Sequence, residues 1–303
     1  MDITSLFALL LILSGLGAGI YFYWQHQKLL QLKKALLEVE WTVLSLAVPK
    51  ENEKGPEAAE NLFAALHGIF QEQTPEILQP RISLEIVARP QAITFYVVCP
   101  SYLADFVESQ IYAQYPTVEI HKTEDYTQFL PKAHFAVGEL TTTKEEVLPI
   151  KTFPNFEVDP LASLTSTLGK VSGEEQNWVQ IIIRPVSDAW QKKSISWAQA
   201  VKTTGKAPSK VFTLKNILSS LLSFSKELLI TAKGGSSEGE GGESSAPELP
   251  GPLQSAVEGA EQKSTKLGFK TKIRLVSFAS DPETAKAKLL NVVGSFKQFN
   301  TVN

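Results

Sequence analysis

The 303-residue chain has a single cysteine, Cys99. An internal disulfide is thereby excluded, and the composition suits a reducing compartment. Cys99 closes a β-prone run and reads as a buried structural thiol, not a nucleophile. The four histidines, His26, His67, His121 and His134, form no ligand-spaced pair, so no metal site is assigned. Surplus charge is lacking too: a net charge of −3 and a pI near 5.9 supply no global basic field for gripping nucleic acid. Neither Gly169-Lys170-Val171 nor Gly205-Lys206-Ala207 completes a phosphate-binding loop, which needs Gly-x-x-x-x-Gly-Lys followed by Ser or Thr. A Gly-x-Ser-x-Gly elbow and a His-Glu-x-x-His pair are also missing. Glu145-Glu146 and Glu174-Glu175 sit side by side in polar stretches and read as solvated. The residues therefore name no catalytic, cofactor-binding or metal-binding position, and the chain reads as a non-enzyme.

What is present begins with Ile3 to Trp24, a run of 22 residues whose polar side chains are Thr4, Ser5 and Ser14. At about 1.5 Å per residue, a helix of that length matches a hydrocarbon core of roughly 30 Å. The start lacks the positive charge of a signal peptide. The run therefore reads as an uncleaved transmembrane anchor carried by Ile3, Leu6, Phe7, Leu10, Leu13, Ile20, Tyr21 and Trp24. An aromatic belt at 21–24, then Lys28, Lys33 and Lys34, orients the remaining chain toward the cytoplasm. The expected address is a single-pass protein of the bacterial inner membrane with the lipid bilayer as a partner. Gly15, Gly17 and Gly19 offer a close-approach face for homo-oligomers. Residues 25–40 continue as an amphipathic juxtamembrane helix, with docking on the next domain and coiled-coil pairing both open.

From Trp41 the patterns alternate between periods of two and 3.6 residues. Trp41 to Val48 is a strand, and after Pro56 the residues Leu62, Phe63, Leu66, Ile69 and Phe70 mark a helix. Ile82, Leu84 and Ile86 make a second strand and Ile93 to Cys99 a third, joined tightly through Arg89-Pro90-Gln91-Ala92. Ser101 is placed to cap a helix that carries Leu103, Phe106, Val107 and Ile111. Thr117 to His121 completes a β-α-β-β-α-β order, the split ferredoxin-like plan.

A second pass starts near Ala133. It runs from a strand at His134 to Thr141, through an Asp159-Pro160 helix start, to an apolar strand at Trp178 to Ile183. After an insertion it resumes with a strand at Lys270 to Ser280 and another Asp281-Pro282 start. The paired Asp-Pro starts suggest an internal duplication, and this pass lacks a last strand unless one begins at Gln298.

Within the insertion, 187–269, a helix is expected at Trp190 to Val201. A second at Phe212 to Ile230 gathers Ile217, Leu218, Leu221 and Leu222 on one side, either to pack on its own domain or as a candidate interaction face for a membrane surface or a partner. Residues 232–250 are Gly, Ser and Glu rich and read as a disordered linker. The predicted fold class is α+β: a transmembrane helix followed by two ferredoxin-like (split β-α-β) units, 41–130 and 131–303, the second interrupted by a partly disordered helical insertion.

Several stretches together resemble a known region: Ala47-Val48-Pro49-Lys50-Glu51-Asn52, Phe95-Tyr96-Val97-Val98-Cys99-Pro100 and Val107-Glu108-Ser109-Gln110-Ile111-Tyr112-Ala113-Gln114-Tyr115-Pro116. Asp159-Pro160-Leu161 and Trp178-Val179-Gln180-Ile181 with Ile183-Arg184-Pro185 join them. They are similar to the membrane-anchored, uncharacterised N-terminal region of bacterial type IV secretion or conjugation-like proteins with a HerA-like or coupling-protein ATPase half. The resemblance implies no catalytic residue here. It implies a P-loop ATPase partner, either on a longer chain or as a separate polypeptide. The expected function is a non-catalytic scaffold or docking subunit for such an ATPase. The alternative is a membrane-tethered sensor or small-ligand module, and contact with nucleic acid stays open.

Overall fold

Among the described residues, alternating side chains become seven strands: β1 (Trp41–Ala47), β2 (Ile82–Arg89), β3 (Ala92–Pro100), β4 (Glu119–Thr123), β5 (His134–Leu140), β6 (Gln176–Pro185) and β7 (Phe269–Ala279). The helices are α1 (Ile3–Glu38), α2 (Pro56–Leu66), α3 (Ala104–Gln114), α4 (Pro160–Leu168), α5 (Ala189–Thr204), α6 (Gly251–Ser264) and α7 (Pro282–Ser295). The computed structural model describes residues 3–49, 54–72, 79–128, 130–208 and 249–300.

Local chemistry explains most of the boundaries. Asp159 accepts from the Leu161 N–H at 2.9 Å, and Asp281 from the Thr284 N–H at 2.9 Å, so each carboxylate satisfies a donor that its helix start leaves open. The proline that follows each cap needs no such partner. Between β2 and β3, Pro90-Gln91 turns the chain with Gln91 at φ 68°, a left-handed conformation that a glycine would adopt with less strain. Ser101 does not cap a helix as the sequence suggests. Its hydroxyl accepts from Thr42 at 2.9 Å, and a single 3-10 turn at 101–103 leads into α3.

The strands form one antiparallel sheet in the order β4-β1-β3-β2-β6-β7-β5. This overturns the expectation of two separate ferredoxin-like units. The halves merge because β2 and β6 pair along Ile82↔Ile183 to Ala88↔Asn177. Both strands bury apolar side chains on both faces, Ile86 and Val87 on β2, Trp178 and Val179 on β6. Strands of that composition belong in a sheet interior rather than at an edge. Outward from this junction, each half places its second, third and then first strand.

The described chain divides into two compact units. One comprises Met1–Thr143, Ile150–Asp188 and Leu267–Asn300, and holds the sheet. On one of its faces, Leu66 of α2 and Val107 and Ile111 of α3 pack over Leu44, Ile82 and Val97. On the same face Leu164 and Leu168 of α4 and Leu289 and Val292 of α7 pack over Ile86, Val179 and Leu275. The other unit includes Lys144–Pro149 and Ala189–Lys266. There Trp197, Ala198 and Val201 of α5 pack with Ala256, Val257 and Ala260 of α6 and with Val147. The sequence reading overlooked α6, although Leu253, Ala256, Val257 and Ala260 recur at helical spacing.

The transmembrane expectation is also corrected. Among the described residues no helix is long and apolar enough to cross a membrane. The apolar part of α1 whose side chains are described, 13–24, covers only about 18 Å at the helical rise, and Gln25, His26, Gln27 and Lys28 follow it in the same helix. The single-pass anchor, the inner-membrane address and the lipid partner are therefore withdrawn. The anchor and the juxtamembrane segment are parts of one 36-residue helix.

Candidate functional site

The core cluster on the second face of the sheet contains no α-helical residue. It consists of Val43, Val87, Tyr96, Trp178, Val276 and Phe278 from the strands, with Tyr126 from a 3-10 turn at Tyr126–Gln128. Strand pairing draws a polar row across this face. His121 lies opposite Ser45, Ser45 opposite Tyr96, Tyr96 opposite Glu85, Glu85 opposite Gln180, Gln180 opposite Arg274, and Arg274 opposite Glu139.

Four members of this region form a hydrogen-bonded relay. Arg274 donates to the Gln180 carbonyl at 3.4 Å, the Gln180 amide donates to the Tyr126 hydroxyl at 2.9 Å, and Tyr126 donates to the Glu85 carboxylate. Glu85 and Gln180 are both buried, so each polar end requires such a partner. Burial, together with the neighbouring Glu85 charge, pushes the Tyr126 hydroxyl far above the ordinary phenol range. The Tyr126 ring stacks on Tyr96 at 5.0 Å and meets Trp178 edge-on at 4.9 Å. Chemically this is a clamp. It holds the connection after β4 down on the sheet, with the tyrosine acting as a donor rather than a base.

The sequence-derived candidates lie elsewhere. Leu13, Ile20, Tyr21 and Trp24 are exposed on α1, together with Leu16, Phe22 and Tyr23. The side chains of Ile3, Leu6, Phe7 and Leu10 lie outside the described residues, as do Ile217, Leu218, Leu221, Leu222 and linker residues 232–248. Of the described candidates, Leu13, Ile20, Tyr21 and Trp24, none makes a contact with the relay residues. Among the described residues, no three His, Cys, Asp or Glu side chains are grouped to hold a metal ion. Cys99 is fully buried under α3, and burial raises its thiol to about 11. The relay itself was missed because its members come from four separate segments.

Residues 28–303 match the family described as Domain of unknown function (DUF8128). The chain belongs to this DUF8128 family. The match covers the sheet, both helical layers of the two units and the end of α1, and it begins four residues after Trp24. No curated protein matches the chain. In DUF8128 terms, the Tyr126 relay and the duplicated strand order both fall within the matched region, whereas the apolar stretch 13–24 precedes it.

Proposed function

We propose that this DUF8128 chain is a docking subunit, itself non-catalytic, for an ATPase of the type IV secretion or DNA-translocating kind, with α1 making the contact. The observation that carries the reading is the exposed side-chain run Ile20, Tyr21, Phe22, Tyr23 and Trp24. Five consecutive residues of a helix point in all directions, so a single packed neighbour would not cover them. Apolar surface of that extent marks an interaction site, and tyrosine and tryptophan are the side chains that most often anchor one. The class of partner is supported by the resemblance of 47–52, 95–100, 107–116, 159–161, 178–181 and 183–185 to regions that accompany such ATPases.

The test is affinity purification of the tagged full chain from its native cells. An ATPase should co-purify, and Ile20→Glu with Trp24→Glu should reduce its recovery at least tenfold while leaving the chain's own yield unchanged. Recovery of no ATPase by the unmodified chain would overturn the proposal.

A further inference from the structure

Cations gather on one part of the sheet face that carries Val87 and Trp178. Alternation along β7 sends Lys270, Lys272 and Arg274 to this face, because Val276 and Phe278 continue the same period-two row and belong to its core cluster. Arg184 of β6 lies directly opposite Lys270 and so shares the face. Arg81, immediately before β2, holds its guanidinium 4.8 Å from the ring centre of Trp41, which stands two residues before Val43 of that cluster. A chain whose net charge is −3 carries a local basic patch here.

Cross-strand pairing opposes this arrangement. Like charges directly opposite each other on neighbouring strands repel, and Arg184 and Lys270 stand in that relation. Nearby carboxylates answer only part of the charge. Glu139 pairs with Lys272 at 2.9 Å, and Glu85 is already bound by Tyr126. Among the described residues neither Arg184 nor Lys270 makes an ion pair. Lys270, Lys272 and Arg274 are all exposed, so the repulsion is open to relief by an anion from outside.

Spacing and surroundings select the anion. Side chains two residues apart on a strand recur every ~6.8 Å, so Lys270, Lys272 and Arg274 form a straight row of cations. That interval is close to the separation of successive phosphates in an extended single strand. Beyond Arg274 the row turns apolar, with Val276 opposite Val137 and Phe278 opposite Phe135. Val276 and Phe278 are buried, whereas Phe135 is 66% exposed on the same face, about 14 Å along the strand from Arg274. A basic track for the backbone beside an uncovered aromatic ring for a base is the general construction of sequence-tolerant single-strand sites. A duplex, with its bases already stacked on one another, offers Phe135 no free base face.

We infer that this face binds single-stranded nucleic acid, its phosphates along Arg184, Lys270, Lys272 and Arg274 and one base stacked on Phe135. Contacts to phosphates and to a ring face read no base edge, so binding is tolerant of sequence. The surface works whether or not α1 contacts an ATPase.

Fluorescence anisotropy of the full chain with a labelled oligo-dT of about 16 nucleotides tests the inference. Binding should appear at low salt and weaken as salt rises, with a log–log slope near about −3 for roughly four neutralised phosphates. Lys270→Gln with Arg184→Gln should weaken it at least tenfold and flatten the slope by about 1.4. Removing two cations that repel should not lower the melting temperature. Phe135→Ala should weaken oligo-dT binding at least fivefold at an unchanged slope and leave the attraction to a duplex of the same length unaltered. Oligo-rU should bind comparably, because neither contact uses the 2′ hydroxyl. Lys192→Gln with Lys193→Gln, the same charge change on α5, should leave the affinity unmoved. No binding at low salt, indifference to the Lys270 and Arg184 changes, or an equal loss from the α5 pair would overturn it. Binding of poly-glutamate in place of the oligonucleotide would also overturn it and assign the track to an acidic protein.

Discussion

The Tyr126 hydroxyl donates to the Glu85 carboxylate on the sheet face that carries Val87 and Trp178, linking the connection after β4 to a strand 41 positions earlier. The bond ties a local turn to the centre of the sheet, and Gln180 supplies the tyrosine with a donor from the second half of the chain. Through these two contacts the relay spans the β2–β6 junction.

Tyr126→Phe keeps the ring contacts with Tyr96 and Trp178 but leaves the Glu85 carboxylate without its donor. A buried acceptor stripped of its partner costs about 1–3 kcal/mol, so the urea midpoint should fall accordingly. Glu85→Gln in the same background should recover part of the loss, because the neutral amide is cheaper to bury. The raised Tyr126 pKa gives a second measurement. Its stabilising contribution is complete below the ordinary phenol value near 10 and disappears as pH rises through the higher folded value. In a phenolate absorbance titration, one of the seven tyrosines should therefore fail to ionise until the protein unfolds.

Cys99 should behave as a core residue. With the thiol raised to about 11 and no exposed surface, little thiolate exists near neutrality and a reagent cannot reach it. An aromatic disulfide reagent at mildly alkaline pH should label native protein very slowly and denatured protein stoichiometrically. Rapid labelling of the native chain would contradict the packing of α3 on β3.

Glu175 and Lys288 should contribute a pH-dependent term. Burial alone would raise the Glu175 carboxyl, but bonds from Lys288 and from the Ser172 N–H and hydroxyl outweigh it and hold the group below its ordinary value. The stabilisation is present above the unfolded value of 4.5 and is lost as pH falls through the lowered folded one. Lys288→Met should remove it, lowering stability by under about 1 kcal/mol at neutral pH and flattening the acid limb of the denaturation profile.

Leu275 is fully buried between Val179 and Leu289, where strand and helix layers meet. Leu275→Ala should destabilise the protein by about 2–5 kcal/mol through lost apolar burial and a residual cavity. A thermal melt with a loss under about 1 kcal/mol would show that the core beneath α7 collapses more readily than its packing implies.

Sequence alone determined the local elements. Alternation at 82–86 and 93–99, the Pro90-Gln91 turn and the two Asp-Pro starts are short-range signals, because a strand's faces and a helix's caps depend on neighbouring residues. Even there, Ser101 went to Thr42 instead of a cap, and α6 was hidden beside a polar linker. Only the tertiary structure decided which strand lies beside which. A strand edge presents the same backbone donors and acceptors whatever its side chains, so periodicity assigns faces without naming neighbours. For that reason the merger through β2 and β6, the relay assembled from Glu85, Tyr126, Gln180 and Arg274, and the contrast on one face between exposed Phe135 and Val137 and buried Phe278 and Val276 emerge only once the chain is folded.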